Sequence, residues 1–140
     1  MEKVIEVNLG IGMNMLFPET TKILTEVSGI TGVQGLLQGR KVLVTTGGTQ
    51  EALDPVRYIG NRSSGRQGLA IAYEALREGA EVTVLAADTV PFSLEGARII
   101  PTMSADAMFA ELKREMPLHD ALFMTAAVAD AKPREIQRSK

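Results

Sequence analysis

The sequence contains no cysteine and no tryptophan, only one histidine, and few aromatic residues of any kind (4%). Without cysteine there are no disulfides, no thiolate nucleophile and no sulfur-ligated metal. A single histidine, His119, excludes a histidine-rich metal centre and a cysteine–histidine pair. So few aromatics argue against a surface that stacks the bases of a single strand. Charge of one sign is also lacking. The 15 basic and 17 acidic residues leave a net charge of −2, which excludes a polycation that grips nucleic acid through its phosphates. No apolar run reaches the roughly 18 residues needed to span a bilayer. The opening residues, MEKVIEVNLG, carry charge where a signal peptide needs an apolar core. These absences together describe a soluble, cytoplasmic protein with neither a membrane nor a nucleic acid as partner.

What is present is a 140-residue chain that is 45% hydrophobic, dominated by Val, Ile, Leu and Ala. That is enough to bury one α/β core. Residues 1–38 are weakly patterned and rich in glycine (Gly10, Gly12, Gly29, Gly32, Gly35). They are read as an arm or linker, with a short helix over 22–27 that Pro18 could introduce and Gly29 could stop.

From residue 39 onward the pattern sharpens. Residues 41–45 form an apolar, β-branched run ending at Gly47-Gly48, as a buried strand and tight loop would. Leu69, Ala72, Tyr73 and Leu76 recur at helical spacing within 65–77, and Gly79 lies just beyond. Residues 82–86 predict a second strand, and 98–102 a third, which Pro101 assigns to a strand end or a sheet edge. Ser104 is an N-cap for a helix over 105–115, which Pro117 stops. Residues 120–126 complete the set as a fourth strand. Apolar strands alternating with helices predict a Rossmann-like, three-layer α/β fold with a mainly parallel sheet. Ligands bind such sheets beyond the carboxyl ends of the strands. The polar and glycine-rich signatures fall there.

The first signature is Thr45-Thr46-Gly47-Gly48-Thr49. Gly47 and Gly48 let the chain turn sharply and approach a ligand, or simply serve a strand-to-loop turn. The second is Gly60-Asn61-Arg62-Ser63-Ser64-Gly65-Arg66-Gln67-Gly68, placed just before a helix. Backbone N–H groups at a helix start favour anions. Ser63 and Ser64 add hydroxyls, Gly65 and Gly68 permit close approach, and Arg57, Arg62 and Arg66 add positive charge. A phosphate or triphosphate site is preferred here over a plain helix cap. Asn61 suits an oriented neutral donor for a developing oxyanion, and equally a turn asparagine. The third is Thr125-Ala126-Ala127-Val128-Ala129-Asp130. Its small residues leave room against the backbone, and Asp130 can accept hydrogen bonds from an amino group.

A nicotinamide dinucleotide is the competing ligand, because Val-Thr-Thr-Gly-Gly-Thr resembles the opening of a reductase fingerprint. That fingerprint needs further glycines that open a helix directly. Here Gln50-Glu51-Ala52-Leu53-Asp54-Pro55 follows, and no glycine comes until Gly60. Asp88 is a weak match to the acidic residue that reads a ribose. Tyr58 and Tyr73 lack the lysine four positions on that a reductase would use.

In order and spacing, the three signatures, with Asp54-Pro55-Val56-Arg57 between the first two, resemble phosphopantothenate–cysteine ligase. This is the synthetase half of the bifunctional bacterial coenzyme A biosynthesis flavoproteins. The resemblance covers residues 39–140. It implies a ligase that activates the carboxylate of 4'-phosphopantothenate with CTP and Mg²⁺, releases pyrophosphate, and couples the acyl-cytidylate to cysteine. It implies catalytic roles for Asn61 and Arg57, with Asn61 at the acyl-cytidylate. It places Gly47, Gly48, Ser63, Gly65, Gly68, Thr125 and Ala126 against the nucleotide, Ala127 against the pantothenate moiety, and Asp130 against the base. Lys140 matches the first lysine of a following flexible stretch. A homodimer is implied as well. Gly60 and Gln67 stand where the family often has Ser and Met. The family domain continues past the position of Lys140, so the fold is expected to be incomplete at the C-terminus. If it is, a non-catalytic nucleotide-binding fragment is the alternative. Gly12-Met13-Asn14-Met15 faintly resembles a clamp of the partner flavin decarboxylase, but no flavin-binding segment precedes it and no FMN is expected.

Overall fold

A computed structural model describes residues 35–87 and 94–136. The elements in order are β1 (Lys41–Thr46), β2 (Gln50–Ala52), β3 (Tyr58–Gly60), α1 (Arg66–Arg77), β4 (Glu81–Ala86), β5 (Arg98–Pro101), α2 (Ala105–Glu115) and β6 (Ala121–Met124). A short 3₁₀ turn, Met116–Leu118, contains Pro117 and separates α2 from β6. The expected helix over 22–27, the 12–15 motif, Asp88 and Lys140 lie outside the described residues.

Four strands form one parallel sheet in the order β5-β4-β1-β6. This is the mainly parallel α/β sheet that the alternation of apolar runs predicts. β1 and β4 are central, and after a first exposed residue each is buried at every position. Strands covered on both faces need apolar residues throughout, which explains the unbroken Val-Leu-Val runs. Val42, Val44, Val82 and Val84 face α1, where Ala72 and Ala75 complete the core cluster. Leu43 and Leu85 point to the other face and are fully buried. Each such side chain contributes roughly 1.5–3 kcal/mol through its removal from water. Pro101 ends β5, which is an edge strand, as a residue without an N–H requires.

The buried face of α1 is Gly68, Ala72 and Ala75, with Ile71 and Leu76 packed partly against the core. Tyr73, counted on that face by its spacing, is instead exposed. Small residues at i, i+4 and i+7 let the helix lie close to the sheet, so a large ring is accommodated only on its flank. Ser104 caps α2 as expected, its hydroxyl accepting the Ala107 N–H at 3.2 Å.

At the C-terminal end of α2 a buried carboxylate, Glu115, is held by the Arg98 guanidinium. His119 ties down the same corner. Its Nδ1 donates to the Glu115 carbonyl at 2.7 Å, and its Nε2 lies 3.0 Å from the Thr83 hydroxyl. The hydrogen bond from Arg98 holds the Glu115 carboxyl below its ordinary value of 4.5, against the opposing effect of burial; the charges of Arg98, His119 and Arg114 act in the same direction. A carboxyl depressed in the fold binds fewer protons there than in the unfolded chain. Its stabilisation is therefore complete above that ordinary value and is lost as pH falls through the lower folded one. Urea titrations between neutral pH and pH 3 are expected to show this loss, and Glu115→Gln should flatten it. At neutral pH the substitution should cost about 2 kcal/mol, moderated by the half-exposed guanidinium.

Candidate functional site

β1 lies between β4 and β6, and the chain leaves these neighbours in different directions. After β1 it runs through the β2–β3 hairpin into α1 on one face. β6 is reached from β5 through α2, whose Glu115 meets the Thr83 face of the sheet through Arg98 and His119. The carboxyl ends of β1 and β6 therefore flank the point where connections diverge, the place where open α/β sheets bind ligands.

The two chain segments leaving this point are laced together. The Thr125 hydroxyl donates to the Thr45 carbonyl at 2.6 Å, and the Thr125 and Ala126 N–H groups approach the Thr45 hydroxyl at 3.2 and 3.3 Å. Beyond the strands, Ala127 N–H donates to the Gly47 carbonyl at 2.8 Å, and Thr49 N–H donates to the Ala127 carbonyl at 3.2 Å. The buried Thr49 hydroxyl then accepts the Ala129 N–H at 2.7 Å. Asn61 joins the same lacing, its Nδ2 donating to the Val128 carbonyl at 3.0 Å. One amide hydrogen and Oδ1 of Asn61 remain for another partner.

Close approach explains two of the glycines. A Cβ on Gly48 would lie 2.3 Å from the Asn61 carbonyl oxygen, so this backbone contact requires glycine. A Cβ on Gly68 would lie 2.5 Å from the Thr46 side chain and 2.6 Å from the Thr125 hydroxyl. Gly68 thereby seats the first turn of α1 directly on the ends of β1 and β6. Gly65 is the α1 N-cap, with φ +64°, and its carbonyl accepts the Thr46 hydroxyl at 2.8 Å. No side chain caps α1 and its first turn holds no acidic residue. Ser63 accepts the Gly65 N–H at 3.3 Å.

Gly48, Gln50, Tyr58, Gly60, Asn61 and Arg62 line an open cleft of about 600 Å³, together with Ser63 and Ser64. Of the residues singled out from sequence, the cleft wall therefore contains Gly48, Gly60, Asn61, Arg62, Ser63 and Ser64. Gly47, Gly65, Gly68, Thr125, Ala126 and Ala127 form the lacing and the helix seat beside it. Asp130 is exposed on the segment after β6. Arg57 does not line the cleft. It sits in the β2–β3 turn, its Nε donating to the buried Asp54 carboxylate at 2.5 Å. Asp54 also accepts the Val56 and Arg57 N–H groups at 2.8 and 2.7 Å. These backbone bonds, more than the guanidinium, hold the Asp54 carboxyl below its ordinary value.

Three residues were given no role by sequence reading. Glu51 is buried, and its carboxylate accepts the Ala105 N–H at 2.8 Å, at the start of α2. A buried carboxylate at a helix N-terminus is stabilised by the free N–H groups and the helix dipole. Gln50 N–H donates to the Met103 carbonyl at 2.7 Å, so the hairpin is docked on the α2 start. Thr49 and Lys132 are the other two; Thr49 falls within the first signature, but its partner Ala129, like the Asp106 partner of Lys132, is distant in the chain, so neither role is legible locally.

The family model for the DNA/pantothenate metabolism flavoprotein C-terminal domain matches residues 37–140. The chain belongs to this family. Its relatives include the Coenzyme A biosynthesis bifunctional protein CoaBC of Mycobacterium tuberculosis (strain H37Rv), 45% identical over 105 residues, which cover 74% of this chain and 25% of that protein. CoaBC of Borreliella burgdorferi is 38% identical over 104 residues, 74% of this chain and 27% of that protein. The chain thus spans about a quarter of the length of these relatives. A crystal structure of the C-terminal domain of CoaBC superposes with a TM-score of 0.67 at 35% identity, over 74% of this chain and 56% of that one. The DNA/pantothenate metabolism flavoprotein from Streptococcus pneumoniae gives 0.63 at 31% identity, over 68% and 42%. The hairpin between β1 and α1 sets this chain apart from a dinucleotide-binding reductase. A dinucleotide-binding reductase runs from its first strand through a glycine turn straight into a helix. Here β2 and β3 intervene.

Proposed function

We propose that this chain carries the nucleotide-binding part of a phosphopantothenate–cysteine ligase, using CTP with Mg²⁺. The observation that carries the reading is the cleft lined by the connection from β1 to α1, whose Asn61 is tied to the segment after β6 that bears Asp130. The electrostatics support an anionic ligand. Arg62 and Arg66 stand at the positive end of α1, where cations are unfavourable unless an anion arrives.

In this reading the 4'-phosphopantothenate carboxylate attacks the α-phosphorus of CTP and pyrophosphate leaves. The cysteine amine then attacks the acyl carbon, a proton is lost from nitrogen, and CMP departs as the amide forms. The protein positions the reactants and stabilises charge, with no covalent intermediate on its own side chains. Asn61 donates to the developing oxyanion. Gly47, Gly48, Ser63, Gly65, Gly68, Thr125 and Ala126 shape the nucleotide side, Ala127 borders the pantothenate moiety, and Asp130 accepts from the cytosine amino group. Arg57 acts through the hairpin it braces. Among the described residues no group of three or more His, Asp or Glu side chains is placed to hold a metal. Mg²⁺ fits this chemistry as an ion carried by the triphosphate, neutralising its charge. A homodimer belongs to the same proposal, and sedimentation showing only monomer would remove it.

Calorimetric titration with Mg²⁺·CTP, Mg²⁺·ATP and NADPH tests the reading. CTP is expected to bind preferentially, and Asp130→Ala to weaken it about tenfold or more, the loss of a charge-assisted hydrogen bond. NADPH binding alone would overturn the ligase reading. The alternative reading is nucleotide binding without ligation. CTP binding with no pyrophosphate release on adding 4'-phosphopantothenate and cysteine would establish it.

A further inference from the structure

Asp130 is exposed, yet the segment that carries it is held on both sides. Upstream, the Thr49 hydroxyl accepts the Ala129 N–H at 2.7 Å and Asn61 holds the Val128 carbonyl. Downstream, the Lys132 ammonium donates to the Asp106 carboxylate at 2.5 Å, in the first turn of α2. Asp106 is well placed for this twofold role, because an acidic residue also suits the N-terminal end of a helix. Glu51, buried beneath the same helix start, adds negative potential toward Lys132. The Asp106 hydrogen bond and charge, with the smaller contribution of Glu51, raise the Lys132 ammonium above its ordinary value, so it stays charged throughout the physiological range.

We infer that Lys132 is a positioning residue for the nucleotide site: its ion pair with Asp106 anchors the segment after β6, which Asn61 of the cleft wall holds at Val128, and so fixes where Asp130 stands. The inference deepens the ligase reading and rests on it for the identity of what Asp130 contacts. The anchor itself is a property of the fold. The three segments it joins are the β2–β3 hairpin through Glu51, the start of α2 through Asp106, and the segment after β6 through Lys132. Thr49 holds one end of the Asp130 turn by a buried hydrogen bond, and Lys132 holds the other by an exposed ion pair. Exposed pairs contribute little to global stability. Their effect is local: without the downstream hold, the turn is pinned only on its upstream side, at Val128 and Ala129, and its residues sample more conformations.

The test is hydrogen exchange over residues 127–134 in Lys132→Met, Asp106→Asn and the double variant, with calorimetric Mg²⁺·CTP affinity measured on the same proteins. Each single variant is expected to speed exchange in this segment by about threefold to fivefold, the factor an exposed ion pair supplies. The double variant should add nothing further, since both changes remove one interaction. CTP affinity should fall by a similar factor, while the unfolding midpoint stays unchanged. Lys132→Arg should restore both. Raising the salt concentration should bring wild type toward the variants. Unchanged exchange in Lys132→Met, or additive effects in the double variant, would overturn the anchor. Faster exchange with unaltered CTP affinity would overturn its role in positioning Asp130. If wild type binds no nucleotide but the exchange results hold, the ligase reading fails and the anchor stands.

Discussion

Gly68→Ala is expected to be among the most destabilising single substitutions in this chain. The new Cβ would sit 2.5 Å from Cβ and Oγ1 of Thr46 and 2.6 Å from Oγ1 of Thr125. Neither threonine has freedom to retreat. Thr46 is fully buried and bonded to the Gly65 carbonyl, and Thr125 is bonded to the Thr45 carbonyl. The first turn of α1 must therefore lift from the sheet. Overpacking of this kind costs about 3 kcal/mol, of which the better helix propensity of alanine returns up to about 1. Thermal unfolding should register a drop on the order of 10 °C. The neighbouring Gln67→Ala, at an exposed helical position, is expected to leave the midpoint within a degree or so. A Gly68→Ala midpoint equal to wild type would show that the close seating of α1 is not required.

Asn61→Ala is expected to lower turnover by roughly 10²–10³-fold in the proposed ligation, the usual effect of removing one oriented oxyanion donor. The substitution also releases the Val128 carbonyl and so the segment bearing Asp130. Asn61→Asp should be as damaging although it keeps the shape. A carboxylate cannot donate to Val128, and it places negative charge where charge develops. Asn61 is exposed, so neither variant should shift the unfolding midpoint as Gly68→Ala does. Pyrophosphate release in the complete reaction mixture, followed beside thermal unfolding, separates the two effects. Turnover within threefold of wild type in a folded Asn61→Ala protein would remove Asn61 from the reacting centre.

The two glycines and the asparagine show how far the sequence could be read. Gly48, Gly68 and Asn61 stood out because they sit in polar, glycine-rich runs at the ends of apolar strands. Their reasons were not visible there. Gly68 was read as room for a ligand, and the structure accounts for it by the seat of α1 on Thr46 and Thr125. Gly48 makes room for the backbone of Asn61. Arg57 was read as a catalytic cation, and the structure gives it a partner in Asp54. The β2–β3 hairpin was missed altogether. Its strands are three residues each, too short to show a period of two, and β3 is exposed throughout.

What the sequence determined by itself was the set of elements whose signals are local. The apolar runs at β1 and β4, the Ser104 cap of α2, the stop at Pro117 and the edge position of Pro101 each depend on a few adjacent residues. Short-range sterics, capping and side-chain periodicity act within a turn or a strand, so they are written in consecutive letters. The tertiary structure decided which of those letters meet. Glu51 reaches Ala105, Thr45 reaches Thr125, Thr49 reaches Ala129 and Asn61 reaches Val128, contacts that span 54 to 80 residues of chain. Such pairings form only when sheet order places β6 beside β1, and that order is set by burying both faces of the central strands at once.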